Sequence, residues 1–169
     1  MNRKEFIQTT LYTGSGIVLL PGLLSAQNKP APAPQLKPEI VKEFVGAGHN
    51  NLDRVKEMLL DHPSLIYSRY DWGNGDFEEA IEGAGHVGDK EIANFLIDQG
   101  ARVNLFVLTM LGKTELVKPV LEAYPKLLFA KGAHGFTLLH HAKRGEEDAL
   151  ALLEYLEQKG LKETRVKLN

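Results

Sequence analysis

The sequence predicts an all-α chain of about four helix-turn-helix units stacked side by side, and three observations predict it. Apolar triplets at i, i+3, i+4 spacing recur at Val55/Met58/Leu59, Ile92/Phe95/Leu96, Leu116/Pro119/Val120 and Leu152/Tyr155/Leu156. Each is the stripe of an amphipathic helix that faces a core. The stretch GDKEIANFLIDQGARVN, from Gly88 to Asn104, has a looser echo upstream in NLDRVKEMLLDHPSLI, which begins at Asn51. An internal echo of this kind marks units that cannot bury both faces alone and do so by stacking. Finally, Asn51, Asp89 and Thr114 precede the first three stripes, where a short polar side chain accepts from the orphan amides of a helix start.

Taken in order, residues 1–26 read as an export signal. Arg3 and Lys4 are followed by a mildly apolar stretch from Leu11 to Leu24 and then by the small pair Ser25-Ala26. The densest apolar run, Ile17 to Leu24, is far shorter than the roughly 20 residues that span a bilayer and suits a signal-peptide apolar region. NRKEFIQ resembles the twin-arginine export pattern with Lys4 in place of the second arginine, and the general secretory route could use the same segment. The expectation is a periplasmic or otherwise exported protein with no membrane attachment once the signal is cleaved. Residues 27–38 carry alternating proline, which fixes φ and removes amide donors, so they read as an extended linker. The folded part is expected over residues 39–162, with a C-terminal tail over 163–169.

Composition narrows the function. A chain of 169 residues with 43% hydrophobic content suits one soluble domain. A formal net charge of −2 leaves no basic field to hold nucleic acid. Cysteine is absent, which excludes disulfides, thiolate metal sites and Cys nucleophiles.

Within the folded part, the first unit pairs helices over residues 40–46 and 52–61, and the second pairs 77–85 with 89–99. In the third, LFVLTML follows Asn104 directly, so the loop that usually precedes such a unit is almost missing. Pro119 sits inside its second stripe and removes a helix hydrogen bond at about 3 kcal/mol, so that helix is expected to kink or begin late. The fourth pairs 137–144 with a longer acidic helix over 146–159.

These residues resemble the ankyrin-repeat family. GDKEIANFLIDQGARVN is similar to the second half of the ankyrin consensus, and TLLHHA, Thr137 to Ala142, to its T-P-L-H-x-A signature with Leu138 in place of proline. The element Asp71-Trp72-Gly73 with Gly75-Asp76 resembles one shared by small exported bacterial ankyrin proteins. Stripe spacings of 37 and 24 positions bracket the family period of about 33. The resemblance implies an ankyrin-repeat solenoid of about four repeats with irregular fingers, a monomer that binds a protein partner and is not an enzyme. It also implies that His140, on the signature histidine, ties neighbouring backbone together.

The segment RYDWGNGDFEEAIE, from Arg69 to Glu82, is the least regular. Tyr70, Trp72 and Phe77 read as an aromatic anchor ringed by acids, as interface hot spots often are. The expected partner-binding residues are therefore Tyr70, Asp71, Trp72, Asp76, Phe77, Glu78 and His86. The competing reading has Trp72 folded back as a cover over the end of the core. His49 and His86 occupy equivalent places in adjacent units and are expected to close helix ends, a repeat spacing apart and too far to share an ion at about 2.1 Å per bond. His140 and His141 point about 100° apart on one helix and cannot chelate together. No Walker, dinucleotide, zinc-protease or Gly-x-Ser-x-Gly pattern appears. No metal and no cofactor are expected on the leading reading. The alternative is a small-ligand or metal-binding protein using His134, His140 or His141 with nearby acids.

Overall fold

The computed structural model describes residues 34–168; the expected signal and most of the linker lie outside the described residues. Helix α1, Pro38–Ala47, starts with proline at its first position, where the missing N–H costs nothing. It buries Phe44, Val45 and Ala47. Asn51 caps α2, Leu52–Asp61, by accepting from the Arg54 amide at 3.0 Å. A 3-10 turn, Pro63–Tyr67, leads into a two-stranded antiparallel hairpin of β1, Arg69–Asp71, and β2, Phe77–Glu79, with Tyr70 opposite Glu78. Then come α3, Ala80–Val87; α4, Lys90–Asp98; α5, Leu105–Met110; α6, Thr114–Ala123; α7, Leu138–Arg144; and α8, Leu150–Gln158. Among the described residues the fold is therefore mostly helical, as expected.

The helices pack as pairs, α1 with α2, α3 with α4, α5 with α6 and α7 with α8. The first helices of successive pairs also touch in order, α1 on α3, α3 on α5 and α5 on α7. One apolar cluster runs from Phe44 through Ile81, Ile92 and Leu96 to Val107 and Met110, and a second from Val117 through Leu138 and Leu152 to Leu161. Burying each Leu or Ile of these clusters contributes about 1.5–3 kcal/mol. Among the described residues, no helix is long and apolar enough to cross a membrane.

Several local expectations change. Residues 77–79 were expected to begin a helix, and they form β2 instead, because pairing with β1 satisfies their backbone and α3 starts at Ala80. Thr114 does not cap α6: Lys113 occupies the cap position, and the Thr114 hydroxyl donates to Gly112 O. α6 begins on time and runs through Pro119. Pro119 and Glu115 are exposed, so the carbonyl left without its helix partner meets water. The long acidic helix expected over 146–159 divides into a 3-10 turn, Glu146–Ala149, and α8; Glu146, the first residue of the turn, adopts φ 52°.

One irregularity positions the site. α5 has six residues and no hairpin ahead of it. It does not separate its neighbours fully, and α7 packs on α3 as well as on α5. The loop ahead of α7 is thereby carried to the second unit. Its 3-10 turn, Ala133–Gly135, holds His134 in the left-handed region at φ 57°.

Candidate metal centre

β2 alternates, with Phe77 outward and Glu78 inward, so a carboxylate enters the interior with no exposed surface. Three histidines from three elements surround it. His49 follows the end of α1, His86 lies in the last turn of α3, and His134 sits in the turn ahead of α7. His49 Nε2 is 3.4 Å from Glu78 Oε1, His86 Nδ1 3.2 Å from the same oxygen, and His134 Nε2 3.4 Å from Oε2. One donor atom from each of the four residues lies within 4.8 Å of all the others. Gly83 makes room for this convergence, because a Cβ there would meet His49 Nδ1 at 2.8 Å.

The outer nitrogens decide the state of the inner ones. His49 Nδ1 meets two acceptors, the carbonyls of Val45 at 3.1 Å and Gly46 at 3.2 Å, so its hydrogen resides there. His134 Nδ1 donates to Asp76 Oδ2 at 2.7 Å, while the His134 amide donates to Asp76 Oδ1 at 2.8 Å. In their neutral forms both rings therefore aim a lone pair from Nε2 at an anionic carboxylate. Glu78 Oε1 and His86 Nδ1 are buried and make no hydrogen bond with each other or with any other group. Glu78 Oε2 accepts from the Trp72 indole at 2.8 Å.

Electrostatics agrees with the geometry. Burial pushes the Glu78 carboxyl up, but the facing His49 and His86 imidazoles, which stabilise its charge when they carry protons, more than offset it and hold its pKa down at about 2. The same Glu78 raises His49 above its ordinary value against the cost of its partial burial. The site thus combines an ionised carboxylate with three imidazoles. Rings stack around it, His86 lying 4.7 Å from His49, 5.2 Å from His134 and 5.0 Å from Phe136 between centroids.

The expectation that His49 and His86 stand too far apart is overturned. They sit at the same end of neighbouring first helices, and the reach of two imidazoles closes the gap between the backbones. His49 does close a helix end, as expected, and turns its other nitrogen inward. His134 joins the cluster, whereas His140 and His141 do not. His140 ties neighbouring backbone together, its Nε2 donating to His86 O at 2.8 Å. Burial lowers its pKa. His141 is buried, donates from Nδ1 to Thr137 O at 2.8 Å, and has its pKa pushed by burial down to about 3.

The expected docking residues divide. Glu78 and His86 are 0% and 7% exposed and have no surface to offer a partner. Asp76 is occupied by His134. Trp72 packs edge-on to Tyr70 at 4.7 Å, Lys42 lies over both rings, and its indole N–H is committed to Glu78. Trp72 turns its N–H inward to Glu78 while 38% of its surface stays exposed, so it is neither a buried cover over the core nor a fully presented contact. Asp71 accepts from the Gly73 amide at 2.7 Å, and Phe77 stays half exposed.

Compared with known proteins, the chain matches no family model and no curated relative.

Proposed function

We propose that this chain is a metal-binding helical-repeat protein of the ankyrin type, holding a divalent first-row transition ion between His49, Glu78, His86 and His134. The observation that carries the reading is the pair of tautomers. Val45 and Gly46 on one side and Asp76 on the other take the outer N–H groups, which leaves two lone pairs and a buried carboxylate aimed at each other. Without a cation these groups repel unless the rings take up protons. With one, every donor is used.

Distances fit the same reading. Four ligands at about 2.1 Å in a tetrahedron stand about 3.4 Å apart, close to the 3.2–3.4 Å between each imidazole nitrogen and the carboxylate. Three imidazoles and one carboxylate suit zinc, iron, nickel or copper better than calcium or magnesium, which prefer oxygen cages. Asp76 behind His134 supplies the carboxylate–histidine pairing that orients a ligand and raises its basicity. The alternating stack of helix pairs and His140 on the signature position support the ankyrin reading. Export, expected from residues 1–26, remains part of the proposal. A protein partner keeps only the exposed side chains of Asp71, Trp72 and Phe77, and the buried cluster favours metal over docking.

The test is metal content of protein purified without a histidine tag, followed by zinc titration. About one tightly held zinc per chain is expected, and the double variant Glu78→Gln/His86→Ala should hold none. Wild-type protein that takes up no zinc, and melts at the same temperature with and without it, would falsify the proposal.

A further inference from the structure

A cleft of about 800 Å³ lies beside the cluster, lined by Trp72, Gly73, Asp76, His134, Arg165 and Lys167 among others. Two of these belong to the metal centre's own structure: His134 is a ligand, and Trp72 donates to the ligating Glu78. A third, Asp76, orients His134. The opposite wall is the C-terminal strap. Arg165 pairs with Phe136 in a bridge, Val166 N donates to Gly135 O at 2.9 Å, and Arg165 Nε donates to His134 O at 2.8 Å. The Arg165 guanidinium also lies 5.1 Å over the Phe136 ring. Held at Nε and at its face, the guanidinium is pre-oriented, and its terminal nitrogens are the groups a planar anion engages in a fork.

Fixed charge gives the cleft its chemistry. Asp76 and Glu78 on the cluster side balance Arg165 and Lys167 on the strap side. With the imidazoles unprotonated the metal-free cleft is balanced, each proton held on the cluster adds one positive charge, and a divalent ion, which displaces such protons, leaves two in excess. Low-dielectric walls such as Trp72 and Leu168 focus that excess into the opening.

We propose that the cleft is an anion site switched on by the metal: a small ligand bearing a carboxylate or phosphate group binds between Trp72 and the Arg165–Lys167 wall only when the centre is loaded. This rests on the metal reading above. The anion is held by Arg165 and Lys167 and senses the ion through the Asp76–His134 pair, so the ion controls affinity by its charge. Trp72 is the chain's single tryptophan and stands at the junction, so its fluorescence reports both events.

The experiment titrates full-length protein, metal-free and zinc-loaded, with inorganic phosphate in one arm and acetate in the other. Binding is followed by calorimetry and tryptophan emission, with bound zinc assayed at the end point. At least one anion is expected to bind about tenfold or more tighter to the loaded form, and Lys167→Gln and Arg165→Gln should each weaken it about fivefold or more with zinc uptake unchanged. The stronger arm distinguishes phosphate ligands from carboxylate ligands. Zinc uptake with no anion binding in either arm overturns this inference and leaves the metal reading standing, as does equal affinity in both forms or indifference to both substitutions. Failure of zinc to bind overturns the two together.

Discussion

His49, His86 and His134 differ from His140 and His141 in what their inner nitrogens meet. In the second group, the nitrogen buried in the fold donates to a backbone carbonyl, His86 O or Thr137 O. These imidazoles are structural donors and finish helix ends or turns. In the first group the inner nitrogen faces Glu78, and in His49 and His134 backbone carbonyls and Asp76 occupy the outer one. His49 and His141 both give Nδ1 to the carbonyl four residues earlier, and only His49 turns Nε2 to a carboxylate, so identical side chains become fasteners or candidate ligands according to what the remaining nitrogen meets. The carboxylate placed by β2 makes the difference.

The largest expected effect tests whether that carboxylate is the divider. Zinc at 100 times its Kd should stabilise the wild type by about 2.7 kcal/mol, a rise in melting temperature on the order of 10 °C for a domain this size. Glu78→Gln should abolish the rise, because the amide offers no negative charge and its NH2 competes for the imidazole lone pairs. Thermal melts with and without zinc check it. A full zinc-dependent rise in Glu78→Gln would place the ion elsewhere.

Acid titration separates the two groups by sign. His141 has a folded pKa of about 3 against an ordinary 6.5. Its contribution to stability is present above pH 6.5 and declines as pH falls towards 3, by up to about 1.4 kcal/mol per pH unit. His49 is shifted the other way, so its contribution in the metal-free protein is full below pH 6.5 and lost as pH rises through its raised value. Glu78 acts on the acid side, losing its contribution as pH falls from 4.5 through about 2. Urea unfolding of metal-free protein across pH 3–8 should flatten between 3 and 6.5 in His141→Phe and change mainly on the neutral side in His49→Gln. Matching profiles for the two variants would erase the distinction.

Legibility in the sequence follows the same division. The helix pairs were readable because their stripes are local, and Asn51 and Asp89 cap where a short acceptor should. β2 was not, since Phe77, Glu78, Glu79 and Ala80 suit a helix, and only pairing with Arg69–Asp71 makes three of them a strand. His49 and His86 were seen as equivalent, which was the usable signal. The sequence places their backbones alone, on neighbouring packed helices about 8–10 Å apart, and does not carry the reach of the rings. His134 was considered for a metal, but its true companions depend on α7 reaching α3 past a short α5. No residue pattern within either segment encodes that contact.

Asp76 tests how far the ligand group extends. Asp76→Asn keeps an acceptor for His134 Nδ1 and removes the charge, and zinc affinity should fall about 10–100-fold, the usual cost of losing a partner behind a ligating histidine. Competition against a chelator of known affinity measures it. An unchanged affinity would mean that the His134 ring is oriented by its turn alone.

The smallest effect belongs to His140, and it is the sharpest probe of separateness. His86 O lies in the last turn of α3, where carbonyls lack a helix partner, and His140 Nε2 supplies one across the pairs. The ring also stacks on Phe136 at 4.0 Å with planes 19° apart. His140→Phe preserves an aromatic there and removes the donor, so stability should drop by about 1 kcal/mol, the net worth of an ordinary hydrogen bond. The same variant touches the backbone of a ligand residue and none of the ligating atoms. If the helix alone holds His86 in place, zinc affinity stays within about threefold of wild type. A tenfold loss would show that the fastener group sets the geometry of the ligand group, and the boundary between them would have to be redrawn through His86 rather than beside it.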